Sequence, residues 1–358
     1  KVYSNNAALV LLDYLIDTSY GRSIAIGDID LESFYKASKI CGIKVRANVE
    51  NRGILSVKKG GTKDIHLYEI HTGLSSASES RENIQKILQT MTYSALVWTE
   101  GKYRLNLPYA LLYSAATAYL TEDIVQVTDS AGKNRLFRAL QNSTNRNPLT
   151  QSAYWIEDVI ADDLKNITDD DILNGSEILI SWPDASTKLN FSTSRFLNEE
   201  KDFSEDTISW PDKTPQDTSD IVYSTYLVED NNIALETEIF EEGCVTPYHA
   251  KARAEQRVRA SRAEVLYTFK LSAKSFMLEP GDLFGVSSNL YNIPYTLLRV
   301  TSIETESGGQ IKVTAATFDA NFLAWNIDDN FLTPSLDTFE GYALNQARNL
   351  RMIVGTVN

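Results

Sequence analysis

The amino-acid sequence predicts a strand-rich α+β fold, with small β-barrel or curled-sheet domains and a few packed helices. Three observations predict it. Ile84, Ile87, Leu88 and Met91 recur at the spacing of one helix face. Ile178, Ile180 and Trp182 alternate with Glu177, Leu179 and Ser181, the period of a strand. Beyond residue 264, four short stretches at 265–271, 283–287, 295–302 and 311–317 are separated by tight-turn sequences, as a small barrel or curled sheet requires.

Asn5 or Asn6 is placed to cap a helix reaching about Asp17, and its run of Leu, Val, Tyr and Ile leaves it no polar face. Asp30 caps a second helix, with Leu31, Phe34, Tyr35 and Ser38 on one face and Gly42 just past its end. A third begins near Ser80. Residues 95–107, with Glu100-Gly101-Lys102 in the middle, read as a β-hairpin. Two similar stretches, 120–124 and 167–172, place a Thr before acids, as at the start of a helical turn. The polar segment 142–151, with Pro148, reads as a loop.

SEILISWPD at 176–184 and SEDTISWPD at 204–212 differ only at their third and fourth positions. Each reads as a strand ended by proline, which has no N–H to give the ladder. The residues after the two copies are dissimilar, so this is no repeat array. Two similar strands of one small sheet explain it best. Thr246-Pro247 then opens a helix to about Arg262 with a thin stripe of Ala250, Ala254, Val258 and Ser261.

The chain has 358 residues, 43% of them hydrophobic and 23% charged, enough for two or three domains with ordinary cores. It begins at Lys1 without a charged-then-apolar leader and reads as an excerpt of a longer polypeptide or a processed one. Its apolar runs are too short to anchor it in a membrane. The formal charge of −14 opposes tight phosphate binding. Cys41 and Cys244 cannot form a disulfide framework or a zinc site alone, and are expected as buried thiols of a chain folded in a reducing compartment.

The chemistry-bearing residues give no catalytic assignment. In His66-Leu-Tyr-Glu69-Ile-His71, neither a regular strand nor a regular helix gathers three ligands, so no metal is expected. His249 has no Ser or Cys nucleophile near it in sequence. Glu199, Glu200, Asp202, Glu205 and Asp206 could supply a glycosidase pair, but among 48 acidic residues such a pair is expected by chance. Lys59-Gly60-Gly61-Thr62 lacks phosphate-loop spacing and reads as a hairpin turn. No cofactor is expected. Two surface readings remain. Lys251, Arg253, Arg257, Arg259 and Arg262 make the 246–262 helix basic in an acidic chain, either as a solvated face or as a contact with acids such as Glu236, Glu238, Glu241 and Glu242, on this chain or on a neighbouring subunit. Trp182 and Trp210 either close a sheet core or stand exposed as sugar-stacking platforms of a carbohydrate-binding or adhesin module.

Several segments together resemble the tail-tip attachment protein J family of lambda-type bacteriophages. They are 6–15 followed by Tyr20-Gly21 and an acid-capped helix, the helix at 80–91, the hairpin holding Trp98 and Gly101, Asn198-Glu-Glu-Lys-Asp-Phe203, Gly243-Cys-Val-Thr246 leading into the Ala/Arg helix, and Leu278-Glu-Pro-Gly-Asp282. They keep their order over about 5–320. The chain has Asn6-Ala7 where the family has Asn-Pro, Ser19 where it has Arg, and a poorer match over 109–175. The resemblance implies a non-enzymatic hub portion at the virion tail tip, assembled in the host cytoplasm. There it would be a homotrimer contacting other tail-tip and tail-tube proteins and a downstream receptor-binding region, and DNA would pass without tight binding. The implied organisation is a mixed α/β hub domain at 1–108, an insertion or linker at 109–175 and a β-sheet region with both ISWPD strands at 176–240. The basic helix with a small β-barrel-like domain comes next at 241–330, then a C-terminal extension at 331–358.

Overall fold

A computed structural model describes residues 4–49, 61–74, 78–108, 113–115, 118–119, 121, 124–129, 134–160, 165–173, 176–182, 187–213, 221–272, 278–306 and 310–319. Two compact units divide the chain: Lys1–Val45 with Asp64–Trp325, and Arg46–Lys63 with Asn326–Asn358. Of the second, the described residues are the strand segments 46–49 and 61–63.

The first unit opens with α1 (Ala7–Ile16). The Asn6 side chain accepts from the Leu9 N–H, as an N-cap should, and its amide donates to the Ser38 carbonyl at 2.8 Å in α2 (Leu31–Cys41). One side chain thus starts one helix and ties it to the next. Asp30 caps α2 through the Ser33 N–H. After β1 (Lys44–Val49) and β2 (Gly61–His66), which pair, α3 (Ser80–Gln89) buries Ile87, with Met91 buried beyond its end. β3 (Ala95–Thr99) and β4 (Lys102–Asn106) form the expected hairpin, with Glu100 and Gly101 both at positive φ, 49° and 75°, as a tight primed turn requires.

Next come β5 (Ala118–Tyr119), β6 (Ile124–Thr128), β7 (Asn134–Ala139), β8 (Ser143–Thr144) and β9 (Trp155–Ile160). They form a β5–β8 pair and a β6–β7–β9 sheet around Tyr119, Val125, Phe137, Ala139 and Trp155. The Trp155 indole N–H donates to the Arg146 carbonyl at 2.7 Å, so the ring is buried without an orphaned donor. Of the two Thr-acid stretches, Ile124 already begins a strand and residues 120, 122 and 123 lie outside the described residues. Thr168 instead starts a single turn, its N–H and hydroxyl both on the Asp171 carboxylate.

β10 (Lys165–Ile167), β11 (Leu179–Ser181), β12 (Phe191–Asn198), β13 (Ser204–Trp210), α4 (Val222–Glu229), β14 (Glu236–Phe240) and α5 (Pro247–Ala263) come after these. The described chain closes with β15 (Leu266–Leu271), β16 (Leu283–Ser288), β17 (Ile293–Glu306) and β18 (Gln310–Thr317). Two sheets result. One has three strands in the order β13-β12-β14; the other has six, β10-β16-β17-β18-β15-β11. Among the described residues the six-stranded sheet is open, with β10 and β11 as its edges, so the barrel option gives way to a curled sheet. Register shifts at Val286/Ser288 and Val300/Ser302 add twist. Its core is Phe269, Leu271, Phe284, Leu298, Val300, Val313 and neighbours. Each such side chain contributes about 1.5–3 kcal/mol by leaving water.

The two ISWPD strands do not share a sheet. β11 is an edge of the six-stranded sheet and β13 an edge of the three-stranded one. β12, which follows the first copy, pairs with β13 and β14. The tryptophans separate accordingly: Trp210 is buried against Ala254 and Val258 of α5, whereas Trp182 is 72% exposed. The remainder of the first copy's turn and Lys59-Gly60 lie outside the described residues.

Trp155→Ala is expected to destabilise the protein by about 3–5 kcal/mol, and Trp155→Phe, which keeps a ring but orphans the Arg146 carbonyl, by about 1–3 kcal/mol. Urea unfolding followed by circular dichroism measures both.

Candidate functional site

Among the described residues, a dense set of buried polar contacts lies where α5 crosses the three-stranded sheet. Ala250, Ala254 and Val258 are fully buried and recur every four residues, so the helix lies close to β12 and β13. Sheet alternation points Ser192, Ser194 and Phe196 of β12 at the helix. Just past β14, the Glu241 N–H donates to the Arg195 carbonyl at 2.7 Å, which turns the Glu241 carboxylate under α5.

Glu241 is 7% exposed and its two oxygens are shared. Oε2 takes Arg253 Nη1 at 3.2 Å, and Oε1 takes Arg257 Nη2 and the Ser194 hydroxyl. Arg253 also donates to the Thr90 carbonyl at 3.3 Å after α3, and Arg257 to the Ser192 hydroxyl at 2.6 Å. One turn beyond, Arg262 pairs with Asp230 at 2.6 Å and Glu229 at 2.6 Å, donates to the Leu189 carbonyl, and lies over the Tyr226 ring. Burial opposes ionisation of Asp230, yet the bonds from Arg262 and Asn190 hold its carboxyl below the usual range. Arg259 pairs with Glu255 four residues back and faces the Trp210 ring. Lys251 is half-buried on the same helix.

The residues that make α5 basic therefore lie together, and Arg253, Arg257, Arg259 and Arg262 find their acids within this chain. Glu241 is visible in the sequence as a nearby acid. Asp230, the partner of Arg262 from 32 residues away, carries no signal of its own.

A second polar cluster adjoins the N-terminus of α5 and gathers all three histidines of the chain. His66 Nδ1 lies 2.8 Å from Glu69 Oε1, and His71 Nε2 lies 3.6 Å from Glu69 Oε2. His249 Nε2 lies 2.8 Å from the His66 carbonyl and its Nδ1 lies 2.6 Å from the Thr246 hydroxyl. The regular-strand geometry that sets His66 opposite Glu69 and His71, and the regular-helix geometry that turns His71 away from the other two, do not apply: the strand ends at His66 and the chain bends at 67–68. Burial opposes ionisation of Glu69, but bonds to His71 and His66, with His249 nearby, bring it down to about 2. Burial, aided by Arg253 and His71, pulls His249 down to about 4 against the pull of the His66 carbonyl and Glu69. Among the described residues no group of three or more His, Cys, Asp or Glu is arranged to hold a metal ion.

Of the acids that could supply a hydrolytic pair, two serve the β12–β13 hairpin. Asp206 takes the Asn198 amide at 2.7 Å and Lys201 at 3.0 Å, and Glu205 faces Arg195 at 3.5 Å. Trp210 is covered by α5 while Trp182 is exposed, so the two form no paired stacking platform. Cys41 and Cys244 are free and buried, and burial pushes the Cys41 thiol up to about 12.

Glu241→Ala leaves Arg253 and Arg257 without their buried counter-charge and is expected to cost about 3–5 kcal/mol. Glu238→Ala, which removes an exposed partner of Arg195, is expected to cost no more than about 1 kcal/mol. Chemical denaturation of both variants tests the contrast.

No protein-family model matches the chain, and no curated protein matches it. Among solved structures it overlays on a chain of the virion of a native gene transfer agent particle with a TM-score of 0.34 and 13% identity, covering 45% of this chain and 33% of that one. It overlays on the 43 kDa tail protein of prophage MuSo2 from Shewanella oneidensis with a TM-score of 0.34 and 10% identity, covering 90% of this chain and 67% of that one. The chain thus spans about a third of the length of the first.

Proposed function

We propose that the chain is a structural component of a phage or prophage tail: the hub portion at the tail tip, closing the tube and joining it to receptor-binding parts. The observation that carries this reading is the use made of the residues on which the family resemblance rests. Asn6 caps α1 and ties it to α2. Asn198 fastens the β12–β13 hairpin through Asp206. Gly243 sits at φ 76°, where an added Cβ would stand 3.0 Å from Ile70, so a side chain there meets both backbone strain and a packed neighbour. Thr246 caps α5. The Pro280 carbonyl and Asp282 carboxylate accept from Asn106 of β4. These residues serve architecture, which suits a protein that works by shape.

In this reading the chain assembles as a homotrimer with tail-tube and tail-tip proteins, without a membrane anchor, cofactor or reaction of its own. The net charge of −14 supplies a field that repels phosphate, as a conduit for DNA needs. A carbohydrate-binding role through this pair of tryptophans is disfavoured by the burial of Trp210, which leaves Trp182 as the exposed ring of the two.

A cryo-EM map of the intact tail is expected to place three copies at the tip, with Asp and Glu facing the lumen. A Lys/Arg-lined pore, or a position away from the genome's exit path, overturns the proposal. Titration with cell-wall glycans is expected to leave tryptophan fluorescence unchanged.

A further inference from the structure

The hydrogen bonds of His249 admit one neutral arrangement. Its Nε2 faces the His66 carbonyl, which only accepts, so the ring proton sits on Nε2. Nδ1 is then an acceptor, filled by the Thr246 hydroxyl, whose oxygen in turn accepts the His249 backbone N–H as the helix cap. Thr246 and His249 are both buried, 5% and 7% exposed. A second proton has to go on Nδ1. It sets donor against donor, forcing the Thr246 hydrogen away, and it brings positive charge to the positive end of the α5 dipole.

Charged neighbours add to this. Arg253 lies one turn along α5 and is itself engaged by Glu241. From the facing segment come His66, His71 and Glu69, the carboxylate whose two oxygens the other imidazoles already approach. The same segment is held at its far end by the His71 N–H donating to the Gly243 carbonyl at 3.0 Å. Segments 66–71 and 243–249 therefore meet through long-range hydrogen bonds, one of them made by the His249 imidazole.

We propose that this contact is an acid-released clasp: neutral His249 holds the N-terminus of α5 to the 66–71 segment, and protonation of the ring opens it locally. The proposal stands independently of the role in a tail.

The ring is lowered from 6.5 to about 4 in the folded chain, so an opened form takes the proton first. The closed contact is at full strength above about pH 6.5, weakens as pH falls toward 4, and gains no further loss from this group below that. Glu69, lowered from 4.5 to about 2, adds its own weakening only between those values, in a more acidic window.

Hydrogen exchange on the full chain, expressed as protection factors at pH 7, 5.5 and 4.5, tests it. Residues 66–71 and 246–253 of the wild type are expected to lose roughly ten- to a hundredfold protection across that range while β15–β18 keep theirs. His249→Gln, whose amide donates to the His66 carbonyl and accepts from Thr246, is expected to hold its protection. Equal loss in both proteins, loss spread evenly over the wild-type chain, or no loss overturns the clasp. Because the chain has three histidines, NMR titration of histidine-labelled wild type gives a second readout that needs no variant. A His249 midpoint near 4, at the lower end of the pH range over which local protection is lost, supports the clasp, and a midpoint near 6.5 with unchanged protection overturns it.

Discussion

The buried carboxylate of Glu241 is the contact on which the rest of this structure turns. A charge out of water costs several kcal/mol unless it is paired and hydrogen-bonded, and Glu241 has two guanidinium partners and a hydroxyl. Its position is fixed from the sheet side by its own N–H on the Arg195 carbonyl. Its arginines lie on successive turns of α5 and reach Ser192 on one side and the end of α3 on the other. The stripe of α5 that faces β12 and β13 is two alanines and a valine, a smooth contact that by itself sets rotation and register only loosely. Apolar burial brings the helix to the sheet; the ion pairs decide where along it the helix stops.

The same device recurs at other joints within the first unit. Arg262 reaches back to Asp230 and Glu229 at the end of α4. The Tyr93 hydroxyl donates to Glu264 at the end of α5, with Arg299 of β17 over the Tyr93 ring. Arg104 of β4 joins Asp30 at the start of α2 to Glu279 before β16. Each pair spans elements far apart in sequence and is directional, so it specifies one mutual arrangement where apolar surfaces alone would tolerate several. Small sheets held this way interlock. The histidine cluster differs from these joints because its central contact depends on a neutral ring.

Local chemistry is legible in the sequence. Asn6, Asp30 and Thr246 cap the helices that their positions predict, because a cap needs only a short side chain two or three residues from its target N–H. The Glu100-Gly101 hairpin is readable because its turn needs two residues at positive φ. The histidine cluster is not, because strand and helix periods fail across a segment that bends after His66. The pairing of the ISWPD copies is not either, because identical local sequence says where a strand ends and not which strand lies beside it. β11 pairs with the distant β15, while β13 pairs within its own hairpin.

By itself the sequence determined the class of fold, the helix starts, the tight turns and the acidic balance, all of which depend on neighbours within a few residues or on bulk composition. Tertiary structure decided which strands share a sheet, that one ISWPD tryptophan is buried and the other exposed, and that Arg262 of α5 directs its charge to Asp230 and Glu229. Those outcomes depend on electrostatic and packing contacts between segments tens of residues apart, and nothing in the spacing of residues along a chain encodes such a distance.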